Sequence, residues 1–221
     1  MRNVEKAPHV FLLLLFLVAV FVFPPGSVGA NSFYLAVTFL VVAVLASTKS
    51  KGIHGSMEYL RLSVKKEEIP SLIIWGIGLA IIAFVLTSVL SMIFVWLGIN
   101  DANLVTTKVL SFPASILIMA FTLTPIGEEM LFRGYLFRKI TDIVTALKWK
   151  TPSWVFGALF SSAIFAAIHV FYGSISEMIV AFFVGFLFCI FTQKKDSLVP
   201  AIVAHSLYNL FSIASIIFLG Y

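Results

Sequence analysis

Long runs of Leu, Ile, Val, Phe and Ala, broken only by short charged stretches, are the feature that most limits what this chain can become. A helical run of roughly 20 apolar residues, rising about 1.5 Å per residue, matches the roughly 30 Å of hydrocarbon in a bilayer. Inside hydrocarbon each backbone N–H and C=O must find its partner within the protein, which leaves helices and closed barrels as spanning structures. A barrel would show segments of about ten residues alternating apolar and polar, a pattern this sequence lacks. Of 221 residues, 61% are hydrophobic and 11% charged, too few polar side chains to cover a water-facing globule. The expected fold is all-α, a polytopic transmembrane helical bundle.

Seven spans are expected, at residues 10–23, 33–47, 71–98, 112–137, 154–172, 177–192 and 198–219. The first also reads as a cleavable signal peptide, because Arg2 and Lys6 precede the apolar run and Val28-Gly29-Ala30 follows it. Lys and Arg number two before the first span, none at 24–32, five at 48–70 and one at 99–111. The later connections carry four at 138–153, none at 173–176, two at 193–197 and none after the last span. This alternation follows the positive-inside rule and predicts a cytoplasmic N-terminus, three basic cytoplasmic loops and an outside C-terminus in the cell membrane. The formal charge of +5 thus sits in the connections and is assigned to topology, with no nucleic-acid partner expected. Cys189 is the single cysteine, so neither an internal disulfide nor a cysteine-based metal site is available. The basic loop at 48–70 reads as a solvated connector, with attraction of Arg61, Lys65 and Lys66 to an anionic leaflet as the alternative.

Charge within an apolar span costs several kcal/mol unless paired or hydrated, yet Glu128, Glu129 and Arg133 interrupt the run from Ile116 to Phe137. On a helix Arg133 shares a face with Glu129, four residues earlier, and a pair between them leaves Glu128 free. The competing reading ends the span at Pro125 to Gly127 and makes these ordinary surface charges. Two other spans weigh against it: His169 lies in one, and His205 with Asn209, four residues apart on one face, lies in another. Glu128 precedes Arg138 by ten residues and His205 follows Lys195 by ten, which puts both about 15 Å deep. His169 comes out deeper, at roughly 22 Å for an upright helix, and needs tilt to join them.

Three motifs in this order resemble those of the CAAX-protease and bacteriocin-processing family of intramembrane proteases, which includes the type II CAAX prenyl endopeptidases. They are Glu128-Glu129-Met130-Leu131-Phe132-Arg133 (EExxxR), Phe165-Ala166-Ala167-Ile168-His169 (FxxxH) and His205-Ser206-Leu207-Tyr208-Asn209 (HxxxN). The resemblance covers about residues 112–212, so the chain divides into N-terminal spans with a basic loop, 1–111, and a catalytic core, 112–221, within one membrane domain. It implies peptide hydrolysis with Glu128 as general base, His169 holding or deprotonating the same water, and His205 with Asn209 donating to the oxyanion. Glu129 and Arg133 would support them. A zinc ion between Glu128, His169 and His205 is the alternative chemistry, since two imidazoles and a carboxylate with an open position form a catalytic zinc set. Asn209, an unusual zinc ligand and a natural oxyanion donor, favours metal-independent catalysis.

The expected substrate is therefore a membrane-associated peptide or protein, with a prenylated CAAX tail as one form of it, reached through a cavity facing the cytoplasm. A non-enzymatic immunity or scaffold protein, its polar residues locking helices together, is the rival reading, and a proton-coupled transporter a third.

Overall fold

The computed structural model describes residues 40, 41, 43, 55–99, 101–148 and 152–220. The expected span at 10–23, the signal-peptide reading and nearly all of the expected span at 33–47 lie outside the described residues. Among the described residues the fold is all-helical. After a short helix at 55–59 come α1 (Ile69–Trp96), α2 (Ala102–Leu110), α3 (Ala114–Phe121) and α4 (Leu123–Glu129). The chain then passes through a π-helical turn (Met130–Leu136) into α5 (Phe137–Ala146). Next are α6 (Ser153–Ile168) with a 3₁₀ turn (His169–Tyr172), α7 (Ile175–Lys195) and α8 (Val199–Leu219).

Among the described residues four helices are long and apolar enough to cross a membrane: α1 with the turn before it, α6 with its 3₁₀ turn, α7 and α8. They correspond to the spans expected at 71–98, 154–172, 177–192 and 198–219. The chain is a multi-pass membrane protein.

The span expected at 112–137 is not one straight helix, and the connection expected at 99–111 is largely helical. Helices α2 and α3 form a pair bent by 120°. Pro113 lies at the bend with ψ 153°, because its ring removes an N–H and clashes with a continuing helix. A second break follows at Thr122, where φ is −113° and ψ −79° and the hydroxyl donates back to the Ile118 carbonyl at 2.8 Å. Such back-bonding competes with the helical ladder and bends it. From Leu123 to Ala146 the chain then runs on through α4, the π turn and α5.

Helix α1 packs along α8, where Gly76 permits a close approach: a methyl group there would lie 2.6 Å from Val203 Cβ. Small residues at helix crossings allow such contact in membranes, where packing replaces the hydrophobic drive. Helices α5, α6 and α7 stack against one another, and Gly157 of α6 meets α5, since a methyl group there would lie 2.7 Å from the Phe137 carbonyl oxygen.

The connector reading of the basic loop is corrected at Arg61. The Arg61 side chain is 12% exposed; its Nε pairs with Asp196 at 2.9 Å, while Nη1 donates to the Thr192 carbonyl and Nη2 to Gln193 Oε1. Its own carbonyl accepts from Leu198 N–H at 3.0 Å. Because the α7–α8 turn ends in unpaired carbonyls, the guanidinium fork is drawn to that turn; Lys65 and Lys66 remain exposed.

Candidate active site

Glu128 and Glu129 end α4 where the helix widens into the π turn, a local form that recurs at functional sites. Both are buried, at 8% and 0% exposure, and Arg133 at 1%. Arg133 Nη1 donates to Glu129 Oε1 at 2.8 Å, the i, i+4 pair expected from the spacing. The guanidinium carbon lies 4.1 Å from the centre of the Phe165 ring and 5.6 Å from that of Phe188. Burying a charge is costly unless it is paired, and the two aromatic faces add attraction where water is absent.

Glu129 Oε1 accepts a second hydrogen bond, from His205 Nδ1 at 2.8 Å. With Nδ1–H committed to Glu129, the other ring nitrogen of His205 is turned to Glu128, whose Oε2 lies 3.6 Å away. That separation is beyond direct hydrogen-bonding range. Adjacent glutamates therefore occupy different environments: Glu129 is tied to Arg133 and His205, and Glu128 faces open space.

His169 opens the 3₁₀ turn that finishes α6, and its Nδ1 lies 2.8 Å from the Phe165 carbonyl. A carbonyl oxygen only accepts, so Nδ1 carries the proton and Nε2 keeps its lone pair. Asn209 Nδ2 donates to the Ala120 carbonyl at 2.8 Å. This carbonyl lies in the last turn of α3, where helical partners run out, so the bond joins α8 to α3 and leaves one amide proton of Asn209 uncommitted.

Glu128, His169, His205 and Asn209 line one cavity of about 160 Å³ together with Tyr172 and Glu177. Glu129 and Arg133 stand behind its wall and do not line it. The four residues singled out from sequence are thus brought together. Glu177, which the sequence reading did not single out, joins the same cavity from α7, as does Tyr208 from α8. Gly185 was also missed: a methyl group there would lie 2.8 Å from Arg133 Nη2 and 3.3 Å from Phe165 Cδ1. The stripe Ala181, Gly185, Cys189, small and buried at four-residue spacing, is the sequence signal that marks where a large side chain is seated.

The zinc alternative requires three ligands around one point. Among the described residues no three His, Cys, Asp or Glu side chains are arranged to hold a metal ion. Glu128, His169 and His205 share a cavity, but their donor atoms do not form a ligand set.

Residues 110–211 match the family model of type II CAAX prenyl endopeptidase Rce1-like proteins, a stretch just under half of the chain that contains all three motifs. No curated protein and no solved structure matches significantly. Through residues 110–211 the chain is similar to the Rce1-like family of type II CAAX prenyl endopeptidases.

Proposed function

We propose that this protein is an intramembrane endopeptidase that hydrolyses a peptide bond of a membrane-associated protein or peptide, with Glu128 activating water. The observation that carries the reading is the unequal use of two neighbouring glutamates: Glu129 is bound by Arg133 and His205, and Glu128 lines the cavity. A carboxylate in that position accepts a proton from water as the oxygen attacks the peptide carbonyl, then passes it to the leaving amine. His169 Nε2, with its lone pair exposed, accepts the second hydrogen of the same water and orients it.

As the tetrahedral intermediate forms, negative charge gathers on the former carbonyl oxygen. The remaining Asn209 amide proton stabilises it, together with His205 Nε2 when that ring carries both protons; in a site of low dielectric such donors act strongly. Glu129 and Arg133 fix the His205 ring. This reading routes no step through a metal ion; in its support, no three His, Cys, Asp or Glu side chains converge on one point among the described residues. Membrane topology enters the proposal through charge: the loops carrying Arg138, Lys139, Lys194 and Lys195 face the cytoplasm and the α8 C-terminus faces outside.

The test is cleavage of a fluorogenic peptide library, including prenylated and transmembrane-segment members, by detergent-purified protein with and without a zinc chelator. Wild type should cleave equally in both conditions, and Glu128→Gln should lose at least about 100-fold in kcat/KM. Loss of wild-type cleavage on chelation would transfer the mechanism to a metal; absence of cleavage by folded wild type on every library member would return the polar residues to a scaffold role.

A further inference from the structure

Glu177 is the second carboxylate of the cavity, and it has no task in the hydrolytic reaction. It shares the lining with Glu128, Tyr172 and Tyr208, and among the described residues no lysine or arginine joins them. Lys108 of α2 stays out of the lining, and Arg133 is engaged with Glu129. Glu128 has His205 Nε2 at 3.6 Å. Among the described residues no hydrogen bond or ion pair ties the Glu177 carboxylate, whose residue is held only through its backbone N–H.

The local sequence provides another use for this carboxylate, and the fold declines it. Ser174-Ile175-Ser176-Glu177 has the spacing of a capping box, in which the serine accepts from the glutamate N–H and the glutamate reaches back to the serine N–H. The first half is present, with Ser174 Oγ accepting from Glu177 N–H at 3.0 Å. The second half is not formed. Asp101 serves the start of α7 instead, accepting from Ile175 N–H at 2.6 Å and Ser176 N–H at 3.3 Å. Glu177, left out of the cap, contributes to the cavity wall. An anion among apolar and aromatic walls is costly unless a cation meets it, and a second carboxylate in the same cavity adds to that cost. Tyr172 and Tyr208 line the cavity with rings whose faces attract cations as well.

We propose that Glu177 is a specificity subsite for a cationic group, so that the preferred substrate carries a lysine or arginine side chain near the bond cleaved. This rests on the reading of the cavity as the hydrolytic site. The apolar lining from Val105, Val109, Phe112 and Leu117 suits the aliphatic stem of such a side chain, with its charged head at Glu177. A carboxylate acting only on the α7 dipole would change helix stability and leave the choice of peptide unaffected.

The probe is a dye-labelled membrane-segment peptide, otherwise uncharged, in which a single lysine is moved position by position and compared with norleucine, a stem of the same length without the charge. Binding is read by fluorescence anisotropy on Glu128→Gln protein in detergent, and cleavage on wild type. At one position lysine should bind at least about 10-fold more tightly than norleucine, the scale of a charge pair withdrawn from water. Adding Glu177→Gln should bring the ratio of the two affinities to about 1, and adding Glu177→Lys should invert the preference toward glutamate at that position, an inversion that unfolding cannot imitate. Equal binding of lysine and norleucine at every position of the Glu128→Gln protein, or a lysine preference that survives Glu177→Gln, overturns the inference. Binding needs no turnover, so a wild type that cleaves nothing while showing the Glu177-dependent preference would remove the hydrolytic reading and leave the cation subsite standing.

Discussion

Arg133 is the residue on which the polar cluster depends. It neutralises Glu129, stacks on Phe165 and Phe188, and occupies the space that Gly185 leaves. Removing one partner of a buried pair leaves the other charge uncompensated, so Arg133→Ala should destabilise the protein by about 3–5 kcal/mol, read as a fall in the unfolding midpoint in detergent. Lysine keeps the charge but not the planar fork or its stacking, so Arg133→Lys should recover only part of that loss. Gly185→Ala should act from the opposite helix, lowering both midpoint and cleavage, because Arg133 has packed aromatic rings on either side and little room to yield. Spacing in the sequence was enough to pair Glu129 with Arg133 and to leave Glu128 free. The His205 contact with Glu129 was not legible, since it joins residues 76 positions apart and depends on how α8 crosses the π turn.

Single carboxylates also organise whole elements. Asp101 accepts hydrogen bonds from the Ser174 and Ser176 hydroxyls and from the Ile175 and Ser176 backbone N–H groups, and so caps α7 from another part of the chain. Burial by itself would raise its pKa, but these donors hold the Asp101 carboxyl below the ordinary carboxylate value. A depressed folded pKa gives stability that is present above the unfolded value, about 3.9, and is lost as pH falls through the folded one. The difference in unfolding midpoint between wild type and Asp101→Ala should therefore hold steady from pH 7 to about 5 and shrink below about 4. Arg61 clasps the α7–α8 turn in a comparable way, and Arg61→Ala should lower the midpoint without changing the catalytic pH profile. Charge counts alone described the segment around Arg61 as a connector, because they do not show that a guanidinium meets carbonyls left unpaired at the end of a helix.

Across the molecule, hydropathy was sufficient to place α1, α6, α7 and α8, since each is a single apolar run. It merged α3 with α4 because Thr122 interrupts the backbone without interrupting hydrophobicity. Depth estimated from the nearest charge brought Glu128 and His205 level, as their shared cavity requires. The central claim is a division of labour between adjacent glutamates, one holding the bundle interior and the other facing the substrate. The most direct measurement is a paired one, unfolding midpoint and peptide cleavage on Glu128→Gln and Glu129→Gln in the same detergent. Glu128→Gln is expected to keep the wild-type midpoint and lose cleavage, and Glu129→Gln to lose both; a Glu128→Gln protein that still cleaves at the wild-type rate would contradict the account.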